Sequence, residues 1–289
     1  MYNEDMIAAQ RDLAEEGLVS ARKLLRLMTP VAIHPWEPEE RRTIGFLLSA
    51  TARASESALL LCAYGQLWDA DVLARSVLEG SLKFSYMLQT PATFHERHAE
   101  YAHDLFNIGL LRDHRKCREF LDAVADPDHP QWRPIRDRLL TEDELSQLSA
   151  ASGHVPRRQL ETRWGFTGLV GELSRSGDPL FRELGGLAQN YSMASHIHHM
   201  DMAGASIPLD RDLRSSERRE TIHAAHEGRL ISDILTFLYL RLAIGYRFVG
   251  ADTSPLAEAQ AAIQSFNQKF DMAYATWMSV EYPGDDTRG

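Results

Sequence analysis

Apolar residues recur along most of this chain at intervals of three or four positions, and the strict alternation that marks a strand is nearly absent. Breaks that contain proline, glycine or aspartate separate these amphipathic stretches. The stretches predict helices over about 5–28, 39–65, 69–90, 93–124, 163–174, 178–201, 215–249 and 255–280. Loops are expected at 30–38 and 206–214, and the polar tail 281–289 is expected to be frayed. The predicted fold class is therefore all-α, as an antiparallel multi-helix bundle.

The stretch from about residue 126 to residue 160 departs from this pattern because it is more polar and less periodic. It opens with the turn-rich sequence Asp126-Pro-Asp-His-Pro130 and predicts only short helices. Within it, Thr141 followed by Glu144 has the spacing of a capping box, which predicts a helix start. We therefore predict a single helical domain over residues 1–280 that carries a polar insertion at about 126–160.

Charge and cysteine content narrow the functional classes. The formal net charge of −10 argues against broad binding to a nucleic-acid backbone, which depends on Lys and Arg. Cys62 and Cys117 are the only cysteines, which indicates a reducing compartment and excludes a cysteine-rich zinc site by count. Residues 1–5 lack the basic start of a signal peptide, so we expect a cytoplasmic protein.

The most apolar segment of the chain runs from Leu230 to Val249. It contains Asp233, Arg241 and Arg247, and each of these charges is costly in a lipid core. We therefore predict a buried core helix and no membrane span.

The most unusual polar pattern lies in the helix that ends near residue 201. Tyr191, Ser195 and His199 are spaced at i, i+4 and i+8, so they share one helix face. A second polar pair, Arg75 and Glu79, is spaced at i and i+4 on an earlier helix, where a guanidinium can donate to a carboxylate. The two patterns predict a polar site between two helices.

These motifs resemble a bacterial helical family filed as domain of unknown function 5677. The resemblance is carried by Ala74-Arg75-Ser-Val-Leu-Glu79, by Tyr191-x3-Ser195-x3-His199 and by Trp164-Gly-Phe between them, and it spans roughly Leu59 to Met202. Similar helix patterns occur in the higher eukaryotes and prokaryotes nucleotide-binding (HEPN) proteins, many of which are RNases in phage defence or toxin systems. That wider link is an analogy.

The resemblance implies a role for each motif residue. Arg75 would bind a phosphate and Glu79 would hold Arg75 in position. His199 would be a general acid or base, Ser195 would bind the substrate or orient the imidazole, and Tyr191 would donate a hydrogen bond. The implied function is an HEPN-like RNase or a phosphate-ligand-binding protein without a cofactor, acting on RNA or a small phosphate-containing ligand.

A structural interpretation of the same residues competes with this one. Arg75 and Glu79 can form an interior ion pair that fixes helix register, with Tyr191, Ser195 and His199 completing a hydrogen-bond network. The protein would then be a non-enzymatic binding or scaffold protein, with a homodimer through the C-terminal helices as one arrangement.

The spacing that HEPN ribonucleases use, an Arg and a later His with four to six residues between them, also occurs here. Arg97 with His103 and Arg218 with His223 fit it. A chain this rich in Arg and His produces such pairs by chance, so the spacing is weak evidence.

A metal-dependent oxidase or hydrolase, using Fe, Mn or Zn, is the alternative enzyme hypothesis. Di-iron bundles use Glu-x2-His pairs, because i and i+3 project together from a helix. The candidate ligands are Glu100 with His103 and Glu220 with His223, with Glu79 and Glu183 as further ligands. A single-metal site would instead combine His198, His199 and Asp201 with His223 or His226.

Overall fold

The computed structural model describes residues 4–150, 156–182 and 184–283, and all regular structure in these ranges is helical, which confirms the all-α prediction. The α-helices in chain order are α1 (Glu4–Arg26), α2 (Thr29–Ala32), α3 (Pro38–Ala63), α4 (Leu67–Met87), α5 (Pro91–Ala99), α6 (Leu105–Ala123), α7 (Arg133–Arg136), α8 (Glu142–Ala150), α9 (Arg157–Arg163), α10 (Phe166–Arg175), α11 (Leu187–His199), α12 (Met202–Asp212), α13 (Ser216–Val249) and α14 (Ser254–Glu281). Short 3₁₀ turns lie at Pro130–Trp132, Pro179–Phe181 and Leu184–Gly186. Of the predicted tail, Glu281 ends α14, while residues 284–289 lie outside the described ranges.

Local sequence signals account for several helix ends. Ser215 caps α13, since its side chain accepts a hydrogen bond from the backbone N–H of Arg218 at 3.5 Å. The capping box predicted at the start of α8 is confirmed. The backbone N–H of Glu144 donates to Thr141 Oγ1 at 3.2 Å, and the backbone N–H of Thr141 donates to Glu144 Oε2 at 2.7 Å. The predicted loop 30–38 is shorter than expected, because α2 occupies its first residues.

The loop predicted at 206–214 was wrong, because most of it belongs to α12. Pro208 suggested a break, yet it lies inside this helix. The helix begins at a strong cap, where Asp201 Oδ1 accepts the backbone N–H of Gly204 at 2.9 Å. A side chain at Gly204 would meet the backbone carbonyl oxygen of His196 at 2.0 Å. Close packing of α12 on the end of α11 therefore overrides the proline signal.

The single helix predicted over 93–124 is interrupted by a π turn at Glu100–Asp104, between α5 and α6. The Glu100 carboxylate at this turn is buried and accepts hydrogen bonds from Arg163 and from Trp164 Nε1, the latter at 2.8 Å. Neither Pro nor Gly occurs at this π turn, so the sequence lacks the usual signal of a helix break there.

The described chain divides into two compact units, residues 1–90 with 169–289, and residues 91–168. The second unit contains the polar stretch predicted at 126–160 and the helices α5 and α6 that precede it. In the first unit, α13 packs against α1, α4 and α14. The core helix predicted over 230–249 is confirmed, because most of its apolar side chains are buried.

One described helix, α3, is long and apolar enough to cross a membrane by length and composition alone. Within its most apolar window, 33% of the residues are buried inside the protein. Core helices of proteins that never enter a membrane pass the same criteria, so this finding is weak evidence for a span.

Candidate functional site

The structure brings together three of the five residues predicted to form the inter-helix site, and we call Arg75, Glu79 and Tyr191 the Arg75 cluster. Arg75 and Glu79 project from one face of α4, and Arg75 Nε donates to Glu79 Oε1 at 3.3 Å. Tyr191, on α11, donates from its hydroxyl to Glu79 Oε1 at 2.7 Å and accepts a hydrogen bond from Arg75 Nη2 at 2.8 Å. The guanidinium carbon of Arg75 lies 4.3 Å from the centre of the Tyr191 ring. These contacts join α4 to α11.

The other two predicted site residues lie farther along α11. Ser195 is half-buried, whereas His199 is exposed at the last residue of the helix, with its ring 5.0 Å from that of His198. Among the residues that the structure describes, no hydrogen bond joins Ser195 or His199 to the Arg75 cluster. Their predicted catalytic roles stay predictions.

Little space adjoins the Arg75 cluster. A void of about 20 Å³ is lined by Arg75, Tyr191 and, from the neighbouring helices, Asp71 and Arg229. This volume is close to that of one water molecule. Arg75 Nη1 is buried and has no hydrogen-bond partner within the described part of the chain. The cluster can therefore hold a water molecule beside the guanidinium, but the void is too small for a ligand the size of a nucleotide.

A second polar group, which we call the Asp71 network, consists of Asp71, His226, Arg229 and Asp233. Asp71 Oδ2 lies 2.5 Å from His226 Nε2, and Asp71 Oδ1 accepts from Arg229 Nη2 at 2.7 Å. Arg229 also donates through Nη1 to Asp233 Oδ2 at 3.0 Å. The network joins α4 to α13, and only 3% of the Asp71 side chain is exposed.

Burial and pairing set the charges of this network. Burial raises the pKa of Asp233 to about 6, although the charge and hydrogen bond of Arg229 oppose the shift. Burial alone would also raise the pKa of Asp71. The hydrogen bond to His226 and the charge of Arg229 outweigh burial and hold this pKa below the ordinary value of an aspartate. Burial lowers the pKa of His226, which favours the neutral imidazole at neutral pH.

Sequence reasoning missed the Asp71 network. Asp71 lies one turn inside α4, on the same face as Arg75 and Glu79. The spacing Asp71-x3-Arg75-x3-Glu79 was the available signal. Its partners come from α13, more than 150 residues away along the chain.

A cavity of about 370 Å³ lies beside the Asp71 network. We call it the arginine cavity, because its wall combines three guanidinium groups with several aromatic rings. Its lining includes Arg211, Arg214, Arg229, Trp68, Tyr274 and Trp277. Arg229 lines both this cavity and the void next to Arg75, so the two polar regions are adjacent.

The guanidinium groups of the arginine cavity differ in their surroundings. Arg211, at the end of α12, is 7% exposed, its guanidinium carbon lies 4.6 Å from the centre of the Trp68 ring, and its ion pair with Asp212 spans 3.9 Å. Arg214, in the turn before α13, donates to Glu281 at 3.0 Å and to Asp210 at 2.9 Å. Arginines held in this way are preorganised, which suits recognition of a carboxylate or phosphate.

The first pair of metal candidates lies in the unit of residues 91–168. Glu100 is buried and occupied by its hydrogen bonds to Arg163 and Trp164, while His103 is exposed. The π turn also removes the regular i, i+3 geometry that the pairing of Glu100 with His103 assumed.

The remaining metal candidates lie in the other unit, or outside the described residues. His198 is exposed and Glu220 is half-buried, whereas His223 is buried. Burial, together with the nearby Arg211 and His226, lowers the pKa of His223 to about 3. Glu183 lies outside the described residues. Within 4–150, 156–182 and 184–283, no three His, Cys, Asp or Glu side chains are placed to hold a metal ion.

No family model, curated protein or solved structure matches this chain in the comparisons. The resemblance to the family of domain of unknown function 5677 therefore rests on the sequence motifs alone and stays a prediction.

Proposed function

We propose that this protein binds a small phosphate-bearing or otherwise anionic ligand in the arginine cavity. The observation that carries the proposal is the convergence of Arg211, Arg214 and Arg229 on one cavity of about 370 Å³. This volume lies within the range of small-molecule sites, roughly 300–1,000 Å³. Such sites combine a mainly apolar wall with a few placed polar groups, as this cavity does.

The hydrogen-bond donors of the wall favour an anion. Among the described residues that line the cavity there are three arginines and one carboxylate, Asp210, which pairs with Arg214. Carboxylates behind the wall hold Arg214 and Arg229 in place and reduce their net charge. A guanidinium has five N–H donors, so an arginine paired on one edge can still donate from another. Since Asp210, Asp233 and Glu281 also pair with these arginines, the guanidinium donors that stay open, and not a net positive field, would hold the anion.

The Arg75 cluster would support this cavity without forming its wall. Tyr191 fixes α11 on α4, and Met193, two residues farther along α11, lines the cavity. We place Arg75, Glu79 and Tyr191 in a positioning role, and the ligand on the arginine cavity. The proposal includes a cytoplasmic location, as the cysteine content led us to expect.

Isothermal titration calorimetry with phenyl phosphate and with inorganic phosphate, at low salt, tests the proposal. Arg214→Gln should weaken binding of phenyl phosphate at least about tenfold, since it removes a charge-assisted hydrogen bond. Arg247→Gln is the matched control, because Arg247 also forms an ion pair, with Asp178 at 2.6 Å, but does not line the cavity. An equal loss in both variants, or no binding of either probe at millimolar concentration, would overturn the proposal.

Cleavage of RNA is a narrower form of this function, and it rests on the family resemblance. His199 would be the general acid or base. RNA incubated with the wild-type protein and with His199→Ala should be cleaved by the first and spared by the second. Equal cleavage, or no cleavage by either protein, removes the RNase hypothesis and leaves ligand binding in place.

A further inference from the structure

The wall of the arginine cavity is rich in aromatic rings. Phe270, Tyr274 and Trp277 lie at i, i+4 and i+7 on one face of α14, and all three line the cavity. Their ring centres follow each other at 5.7 Å and 5.2 Å, and both pairs are tilted, so the rings do not cover each other by stacking. Trp68, on α4, contributes a further ring, which packs against the Arg211 guanidinium. Wide, rigid aromatic surfaces of this kind favour a flat guest.

Two hydrogen-bond donors in this wall have no acceptor among the residues that the structure describes. They are Trp68 Nε1 and Trp277 Nε1, and both nitrogens are buried. A buried donor without an acceptor is destabilising, and the indole N–H of a buried tryptophan normally has a hydrogen-bond partner. Neither nitrogen is exposed to the open volume of the cavity, so a guest would reach them only after a small rotation of the indole rings, and it would then supply the acceptors that both lack. An aliphatic guest would leave both donors unsatisfied.

The charged groups and the three rings of α14 come from different elements. Arg211 and Arg214 belong to the end of α12 and the turn that follows it. Phe270, Tyr274 and Trp277, which we call the α14 aromatic ladder, lie on α14. A guest that satisfies both parts needs an anionic group and a flat body in one molecule.

From these three features we infer that the ligand of the arginine cavity is a planar aromatic anion with a hydrogen-bond acceptor on the edge of its ring. This inference rests on the proposed function, because it specifies the ligand of the same cavity. The anionic group faces Arg211 and Arg214, the ring lies against the α14 aromatic ladder, and the ring-edge acceptor receives an indole N–H. A carboxylate and a phosphate satisfy the arginines by the same chemistry.

Two pairs of probes separate these elements in a calorimetric titration. Quinoline carboxylate and naphthalene carboxylate have nearly the same shape and charge, but only the quinoline ring has an acceptor nitrogen. Octanoate has the charge without a ring, and quinoline has the ring without the charge. Quinolinyl phosphate, compared with quinoline carboxylate, distinguishes a phosphate ligand from a carboxylate ligand.

We expect the wild-type protein to bind quinoline carboxylate about tenfold more tightly than naphthalene carboxylate, the effect of one buried hydrogen bond. Octanoate and quinoline should both bind more weakly than quinoline carboxylate. The double variant Trp68→Phe, Trp277→Phe keeps both aromatic faces but removes both N–H donors, so it should bind the two bicyclic carboxylates equally. Trp132→Phe, in the other unit, is the control and should retain the tenfold preference.

The outcomes separate this inference from the function on which it rests. Equal affinity for the two bicyclic carboxylates in the wild-type protein, or tighter binding of octanoate, overturns the ligand class. If those anions still lose affinity in Arg214→Gln, the anion-binding function stands. If none of the anionic probes binds, the function and the ligand class fail together.

Discussion

The Arg75 cluster and the arginine cavity contain the same chemical groups and differ in the space beside them. Both regions combine guanidinium, carboxylate and aromatic side chains. At Arg75 the ring and the carboxylate close on the guanidinium, and the adjoining void of about 20 Å³ fits a water molecule. At Arg211 and Arg214 the cavity measures about 370 Å³. The difference teaches that a polar motif in a helical protein becomes a ligand site only where packing leaves volume next to it.

The largest effect is expected at the residue between the two regions. Asp71 is hydrogen-bonded to His226 and Arg229. Arg229 lines both the void beside Arg75 and the arginine cavity. Asp71→Ala should lower the free energy of unfolding by about 3–5 kcal/mol, because it breaks an ion pair whose carboxylate is buried and leaves the half-buried Arg229 without one of its partners. Urea denaturation measures this effect, with exposed Asp69→Ala as the control. A loss below about 1 kcal/mol would show that the Asp71 network is not a structural link between the regions.

A smaller effect is expected at Arg75, and it separates stability from binding. Arg75→Gln should lower the free energy of unfolding by about 1–2 kcal/mol, since the hydrogen bonds that it removes are only partly buried. Affinity for benzoate should change less than about twofold. Arg214→Gln should instead weaken benzoate binding with little effect on the free energy of unfolding. The exposed control Arg53→Gln should change neither the affinity nor the free energy of unfolding. Loss of benzoate binding in Arg75→Gln alone would reverse the roles that we assign to the two regions.

The smallest effect is a pH dependence of anion binding. With a pKa of about 6, Asp233 is mostly ionised at pH 8 and mostly protonated at pH 5. Protonation of Asp233 removes the negative charge that lies beside Arg229. The cavity therefore becomes more positive as the pH falls. Affinity for benzoate, which keeps its charge in this range, should rise a few-fold from pH 8 to pH 5.

Asp233→Asn provides the control for this pH dependence, because it lacks the titrating carboxyl. Its affinity for benzoate should be flat between pH 5 and pH 8 and close to the wild-type value at pH 5. A wild-type affinity that falls as the pH is lowered would contradict the assigned role of Asp233.

Parts of the fold and of the candidate site could be predicted because they depend on neighbours in the sequence. The contact between Arg75 and Glu79 follows from i, i+4 spacing on a helix, and the Thr141 capping box follows from i, i+3 spacing. The loop predicted at 206–214 was wrong because proline usually ends a helix, whereas here the packing of α12 on α11 keeps Pro208 inside a helix. His199 shares a helix with Tyr191, yet its position at the end of α11 leaves it exposed.

The sequence by itself determined that this protein is all-helical, because a period of three to four residues places apolar side chains on one face of each helix. It also determined which polar side chains share a face, including Arg75 with Glu79. Only the tertiary structure decided where an opening remains. The arginine cavity draws on α4, on the end of α12 and on α14, which are far apart along the chain. Spacing within a helix sets the direction of a side chain, whereas the volume left between helices depends on how all of their side chains pack together.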